Sequence, residues 1–258
     1  MNDNSSFDYS FFKQILSALK RNFSFCLLRD VTKIINHNNH KPYVLLRHDV
    51  DLDLDRALKM ALIERELNVK SCYMIMTNSP FYSLDDNHSQ SSIREIIASG
   101  HEIGLHFDFY DKSMRGDGIV IEQIKNDIDS SCHELEKITG TKIPSISFHR
   151  PLPQFLRGPF YIDGIINAYS AELMKWYLSD SKGNWREGNP LSSLENPKDK
   201  ILQLLIHPIW WDEKHLEAPE RLQTFFEHRT KNFSAEEKNK FDITLSSYLT
   251  IQRSQKGM

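Results

Sequence analysis

Cysteine is scarce in this 258-residue chain: Cys26, Cys72 and Cys132 are the only three, with no C-x-x-C pair. An odd, widely spaced set rules out a cysteine zinc knuckle and fits a reducing compartment. Surplus positive charge is also missing. The net charge of −3 argues against a nucleic-acid or anionic-membrane partner, since either favours a basic face. No apolar stretch approaches the length of a transmembrane helix. The opening Met-Asn-Asp-Asn-Ser-Ser has neither the basic region nor the apolar core of a signal peptide. The expectation is a cytoplasmic protein with no membrane insertion. Repeats, low-complexity tracts and long linkers are absent too, which leads to one domain over 1–258, with 1–40 as an N-terminal helical extension.

What is present concentrates at Val44-Leu45-Leu46-Arg47-His48-Asp49-Val50-Asp51. A short apolar run reads as a strand buried on both faces, and here it ends abruptly in ionisable groups. Charges rarely follow such a run unless a metal, a partner or chemistry needs them. Asp49 and Asp51 sit two apart, so in an extended chain both carboxylates project to one side. Their repulsion is relieved by a bound cation or by protonation of one of them. Asp53 and Asp55 have a plainer explanation, because acidic residues suit the first turn of a helix over 52–67.

Strands are expected at 44–48, 71–76, 101–106, 145–149, 176–179 and 201–206. Helices are expected at 9–20, 30–35, 52–67, 91–99, 119–138, 221–226 and 235–249, with Gly100 as a left-handed cap. Glu64 and Glu66 read as the solvated face of their helix. Strands alternating with helices imply parallel βα units, so an α/β barrel leads and a doubly wound sheet is second. Catalytic groups of such barrels gather at the C-terminal ends of the strands. Those ends carry His48, Asp49 and Asp51, then His106 and Asp108, His149 and Arg150, Asp180 with Trp185 beyond it, and His207 before Trp210-Trp211. A lone histidine is more often structural, but ionisable residues ending strand after strand describe a pocket of carboxylates and imidazoles suited to a divalent metal.

The order of these motifs resembles the NodB-like polysaccharide deacetylases, carbohydrate esterase family 4. The residues that carry it are Asp49-Val50-Asp51, Gly100-His101-Glu102-Ile103-Gly104-Leu105-His106, Arg150-Pro151, Asp180 with Trp185, and Leu204-Leu205-Ile206-His207-Pro208. The second motif is the specific one; the third and fourth are weak alone. The resemblance implies a distorted (β/α) barrel of the NodB-homology type and a metal-dependent hydrolase removing an acyl group, usually N-acetyl, from a sugar. It makes Asp49 the general base, Asp51 and His106 metal ligands, Arg150 the group that orients the base, and His207 the general acid. The metal is a divalent ion, zinc first, with cobalt or nickel as alternatives. Asp180, Trp185 and Trp210 are the candidate substrate contacts, the indoles offering apolar faces to a sugar ring, although a single tryptophan is as readily core.

The pattern breaks at one point. Four residues after His106, where the family has its second histidine, stands Tyr110. His149 is the favoured third ligand, with Asp108 or Tyr110 as alternatives. His101 begins its strand at an odd separation from His106, which assigns it a structural place. His37, His40, His88, His133, His215 and His228 fall in polar surroundings. Compartment logic makes a nucleotide-linked or lipid-linked N-acetyl sugar the expected substrate. The rivals are a metal hydrolase of another amide or ester, and a barrel that binds carbohydrate without catalysis. Asp49 and His207 speak against the last, because a binding module needs neither acid nor base.

Overall fold

The computed structural model describes residues 6–35, 41–109 and 121–254. His37, His40 and Tyr110 lie outside the described residues, as does the far end of the 1–40 segment. In chain order the strands are β1 (Ser24–Phe25), β2 (Tyr43–Val50), β3 (Cys72–Ile75), β4 (Glu102–Phe107), β5 (Ser145–Phe148), β6 (Tyr161–Ile162), β7 (Ile165–Asn167), β8 (Trp176–Ser179) and β9 (Ile201–Ile206). The helices are α1 (Tyr9–Asn22), α2 (Val31–Ile35), α3 (Leu54–Glu66), α4 (Asn87–Ala98), α5 (Ile121–Thr139), α6 (Pro190–Leu194), α7 (Ala218–Arg229) and α8 (Ala235–Ser254).

The strands form one sheet in the order β6-β7-β5-β4-β3-β2-β9-β8, with β1 alongside the start of β2. Among the described residues every pairing is parallel except β6 with β7. Two contacts across the interior show that the sheet curls round on itself. Gln203 of β9 donates to the carbonyl of Ala168, just past β7, at 2.8 Å. Arg47 of β2 donates to Tyr169 Oη at 2.8 Å. Yet β3, β4 and β5 stand between β2 and β7 in the sheet. The architecture is the distorted (β/α) barrel expected from the alternation of elements. The N-terminal segment is not only helical, because β1 joins the sheet and α1 buries Phe12, Ile15, Leu16 and Leu19 in the main core.

Local sequence accounts for the element ends. Asp53 caps α3 by accepting from the Arg56 amide at 3.1 Å. Gly100 follows α4 at φ +93°, with its N–H on the Ile97 carbonyl and that of His101 on Ile96, which is a Schellman cap. Gly104 is required by close approach: a Cβ there would come within 2.5 Å of Ser145 Oγ and 2.6 Å of Met74 Sδ. β2 runs two residues beyond the expected 44–48, so Asp49 and Val50 join Arg47 and His48 within the strand. Alternation then decides their fates. Arg47, Asp49 and, just beyond the strand, Asp51 face the barrel interior, while His48 faces α3.

On that outer side His48 Nε2 lies 2.7 Å from Glu64 Oε1, and Ser71 and Tyr73 donate to Oε2 at 2.6 and 2.9 Å. His101 shares the cluster, 3.0 Å from Ser71 Oγ, with its Nε2 on the Ala61 carbonyl at 3.0 Å. Glu64 is therefore buried, not on the solvated face expected from its polarity, because these partners satisfy its charge. Burial opposes its ionisation, but His48 and its hydrogen-bond donors prevail and hold the carboxyl below its ordinary value.

Glu64→Leu should cost about 3–5 kcal/mol by leaving polar partners buried and unpaired. Urea denaturation measures it, and a loss within experimental error would show that the cluster does not hold α3. With its pKa depressed, Glu64 stabilises the fold above the ordinary carboxylate range. That contribution should fade as pH falls through the lowered value.

Candidate metal centre

Three strand ends bring three side chains to one point. Asp51 immediately follows β2, His106 lies in β4 and His149 immediately follows β5. His106 Nε2 is 2.9 Å from Asp51 Oδ1, His149 Nδ1 is 3.2 Å from the same oxygen, and the two nitrogens are 3.3 Å apart. All three residues are buried. A tetrahedral zinc ion with bonds of about 2.0–2.1 Å separates its ligand atoms by about 3.3–3.4 Å, so this triangle has the size of one face of such a site. Asp51 Oδ1 has no partner in hydrogen-bonding geometry, although two imidazole nitrogens approach it. A buried carboxylate oxygen in that position fits a cation. Two nitrogens and one oxygen are a donor set that zinc, cobalt and nickel accept. Among the described residues this is the one group of three or more His, Cys, Asp or Glu side chains so arranged.

Burial pushes the His149 pKa down, and the attraction of Asp51 only partly offsets it. Burial would raise the Asp51 pKa, but His149 and His106 hold it well below the ordinary carboxylate range. Asp108, the alternative oxygen ligand, is engaged elsewhere: Arg150 Nη2 donates to its Oδ2 at 2.9 Å.

Beneath the triangle lies Asp49. Arg47, two residues earlier on the same face of β2, grips it with a fork, Nε to Oδ1 at 2.9 Å and Nη2 to Oδ2 at 2.7 Å. The guanidinium also donates to Gln203 Oε1 at 3.0 Å and stands 4.4 Å from the centroid of the Tyr169 ring. Burial opposes charge on Asp49, yet Arg47, together with His106 and His207, outweighs it and keeps the carboxyl below its ordinary value. The expectation that Arg150 orients Asp49 is thus corrected: the residue that grips Asp49 is Arg47. Arg150 sits past the end of β5 with φ +52°, and that left-handed turn accompanies its pairing with Asp108.

On the other side of the triangle, past the ends of β8 and β9, Asp180 Oδ1 accepts from His207 Nδ1 at 2.7 Å and from its backbone amide at 2.9 Å. Asp180 Oδ2 accepts from Trp211 Nε1 at 2.8 Å. Burial works against charge on His207, but the Asp180 hydrogen bond and charge, with Asp51 and Asp49 further off, lift its pKa to about 9. Asp180, expected as a substrate contact, is instead fully buried and holds His207. Trp185 and Trp210 are corrected likewise. Both are buried in the main core, Trp185 stacked on Phe7 and edge-on to Trp211, because folding gains more from burying these large rings than from exposing them at a mouth.

Arg47, Gln203, Ser147 and Tyr169 escaped the sequence reading. Two of them carried a signal: Gln203 is a polar residue inside the apolar run Ile201–Ile206, and Arg47 shares the spacing of two that ties Asp49 to Asp51.

No family model matches the sequence, and no curated protein does either. Solved structures do match. A carbohydrate esterase family 4 (CE4) esterase from Streptococcus mutans superposes with a TM-score of 0.50 at 13% identity, covering 80% of this chain and 85% of that one. The catalytic domain of a peptidoglycan N-acetylglucosamine deacetylase from Eubacterium rectale matches at 15% identity and TM-score 0.45, over 77% and 89%. A CE4 family pseudoenzyme from Bacillus anthracis matches at 14% and 0.42, over 76% of this chain. The chain spans 63% of that protein's length. At 13% identity the likeness to the Streptococcus mutans esterase establishes the fold, which is that of the family indicated by the motif order.

Asp51→Ala, His106→Ala and His149→Ala should each abolish stoichiometric zinc binding, whereas Asp108→Ala should retain it. Elemental analysis of the purified variants decides this. Full zinc occupancy in any of the first three would remove that residue from the ligand set.

Proposed function

We propose that this protein is a metal-dependent hydrolase that removes an acyl group, N-acetyl first, from a sugar or an activated sugar precursor. The observation that carries the reading is the triangle of Asp51, His106 and His149 beside a histidine held in its protonated form. Asp51, His106 and His149 would hold a divalent ion, with zinc the first choice. When bound, such an ion polarises the acyl carbonyl and acidifies water.

The chain's own groups supply the proton transfers. Asp49 accepts a proton from the attacking water; it is kept ionised by Arg47 and thus starts in the basic form. Water adds to the carbonyl carbon, the C–N bond breaks, and the departing nitrogen takes its proton from His207. With a pKa raised to about 9, His207 carries that proton throughout the neutral range. Asp180 keeps the ring aimed by holding both its Nδ1 and its backbone amide. A second reading of the base follows from one contact. Asp108 follows His106 by two residues and is paired with Arg150, so it too presents a carboxylate beside the triangle.

Acetate release from a panel of N-acetylated sugars, free, nucleotide-linked, lipid-linked and oligomeric, tests the activity and the substrate class together. Stoichiometric metal with no hydrolysis of any amide or ester would leave the carbohydrate-binding barrel as the reading. Asp49→Asn should retain the fold and lower turnover by roughly 10²–10⁴-fold. If Asp49→Asn turns over normally and Asp108→Asn does not, the base is Asp108.

The pH profile tests His207. Its acid form is the active one, so kcat should fall as pH rises through a value at or below about 9, because a bound cation offsets the share of the shift due to Asp51. Asp180→Asn should move that alkaline limb to lower pH by removing the charge that lifts it. A limb that stays in place would show that another group protonates the leaving nitrogen.

A further inference from the structure

We infer that a buried relay beneath the triangle, from Gln203 and Tyr169 through Arg47, Asp49 and Ser147, fixes which nitrogen of His106 stays bare and thereby sets the cation affinity of the site. The inference rests on the triangle being a cation site, and it concerns residues outside the triangle.

Donors and acceptors fix the relay one residue at a time from Gln203, whose orientation is least free. Gln203 Nε2 donates to the carbonyls of Ala168 and Leu173 at 2.8 and 3.3 Å, so its Oε1 must be the atom that faces Arg47 Nη1 at 3.0 Å. Tyr169 Oη accepts from Arg47 Nη2 at 2.8 Å. With Nε–H and the second Nη2 hydrogen directed at Asp49, the guanidinium is held in one plane, and both oxygens of Asp49 are set by its fork. Asp49, ionised against Arg47, can only accept.

Ser147 is paired directly across from His106 in the β4–β5 register. Its hydroxyl lies 3.3 Å from Asp49 Oδ1 and 2.7 Å from His106 Nδ1. A hydroxyl has one proton to give. Donated to the charged Asp49, it leaves only a lone pair toward His106, and Nδ1 must then carry a hydrogen. That hydrogen also suits the carboxylate of Asp49, whose Oδ2 is 3.7 Å from Nδ1. Nε2 is left bare, and it is the nitrogen that faces Asp51 Oδ1 at 2.9 Å and His149 Nδ1 at 3.3 Å. In the opposite arrangement Ser147 donates to Nδ1, Nε2 carries the hydrogen and gives it to His149 Nδ1, and the site is closed to a cation. Asp49, charged and fixed by Arg47, selects the open arrangement. Hydrogen bonds to the far nitrogen of a ligating histidine orient the ring and raise its basicity, and losing one typically weakens metal binding about 10–100-fold.

The test uses the full chain and zinc alone. Zinc affinity is measured by competition with a chelator for the wild type, Ser147→Ala and Arg47→Lys. Long-range ¹H–¹⁵N spectra of the zinc-free proteins report which nitrogen of His106 bears hydrogen. We expect a bonded Nδ1–H in the wild type and a zinc affinity about 10–100-fold weaker in Ser147→Ala, with that N–H exchanging faster. Arg47→Lys should weaken zinc in the same direction, because an ammonium cannot grip both oxygens of Asp49. Ser147→Ala removes a single oxygen and keeps the relay testable even where a change at the buried Arg47 prevents folding. Wild-type affinity in Ser147→Ala with an unchanged Nδ1–H, or hydrogen on Nε2 in the wild type, overturns the relay alone. Failure of the wild type to bind zinc overturns the relay and the metal reading together.

Discussion

A guanidinium with no access to solvent sits at the bottom of the site, and the chemistry above it depends on that one charge. Arg47, Asp49 and Asp51 follow at intervals of two along β2, so they stack on one face of the strand, pointing into the barrel. Two carboxylates so placed in an apolar interior would repel each other and take up protons. Arg47 neutralises the lower one through a two-pronged ion pair, and that leaves Asp51 as the charge still seeking a partner at the level of His106 and His149. Such an arrangement is weak as a source of stability, because desolvating each ion costs several kcal/mol. It is strong as a source of orientation, since a planar fork allows the carboxylate few positions.

The barrel supplies the convergence. Parallel strands end at the same level, so residues at the C-terminal ends of β2, β4, β5, β8 and β9 meet although they are far apart in the chain. The two sides of the site are built alike. On one side a buried carboxylate, Asp49, is held by an arginine and reaches His106 through Ser147. On the other, Asp180 is held by Trp211 and reaches His207 directly. The consequences differ with the hydrogen-bond order. A direct carboxylate contact raises the His207 pKa and keeps a proton on it, whereas an interposed hydroxyl presents a lone pair at the far nitrogen of His106.

The outer face of β2 shows that polarity alone does not identify a functional group. His48 and Asp49 are neighbours in the same ionisable run, and only the alternation of the strand separates them. One goes to the barrel interior and the other to a buried cluster with Glu64, Ser71, Tyr73 and His101 that ties α3 to the sheet. Glu64 reads as a surface residue because helix periodicity ranks carboxylates as exposed. What buries it is a set of partners that come from β2, β3 and the start of β4.

The sequence by itself determined the class of fold and the positions of most elements, because alternating apolar strands and amphipathic helices are local patterns that few architectures accommodate. It also determined where ionisable residues gather, since a charge next to a buried strand is conspicuous in one dimension. Asp51, His106 and His149 were legible in that way, whereas the pairing of Asp180 with His207 was not, since motif order placed Asp180 against the substrate. Which arginine grips Asp49 was not legible. Arg47 and Arg150 are equally charged, and the choice turns on which one the curl of the sheet brings beneath the carboxylate. The same holds for Ser147, Gln203 and Tyr169, small or neutral residues whose importance lies in partners contributed by other strands. The tryptophans were misjudged because a large aromatic ring fits a sugar platform and a core equally well, and only the packing of α1 and Phe7 against Trp185 and Trp211 decides between them. Chemistry that depends on residue type was visible along the chain, and chemistry that depends on which atoms face each other was decided by the tertiary structure.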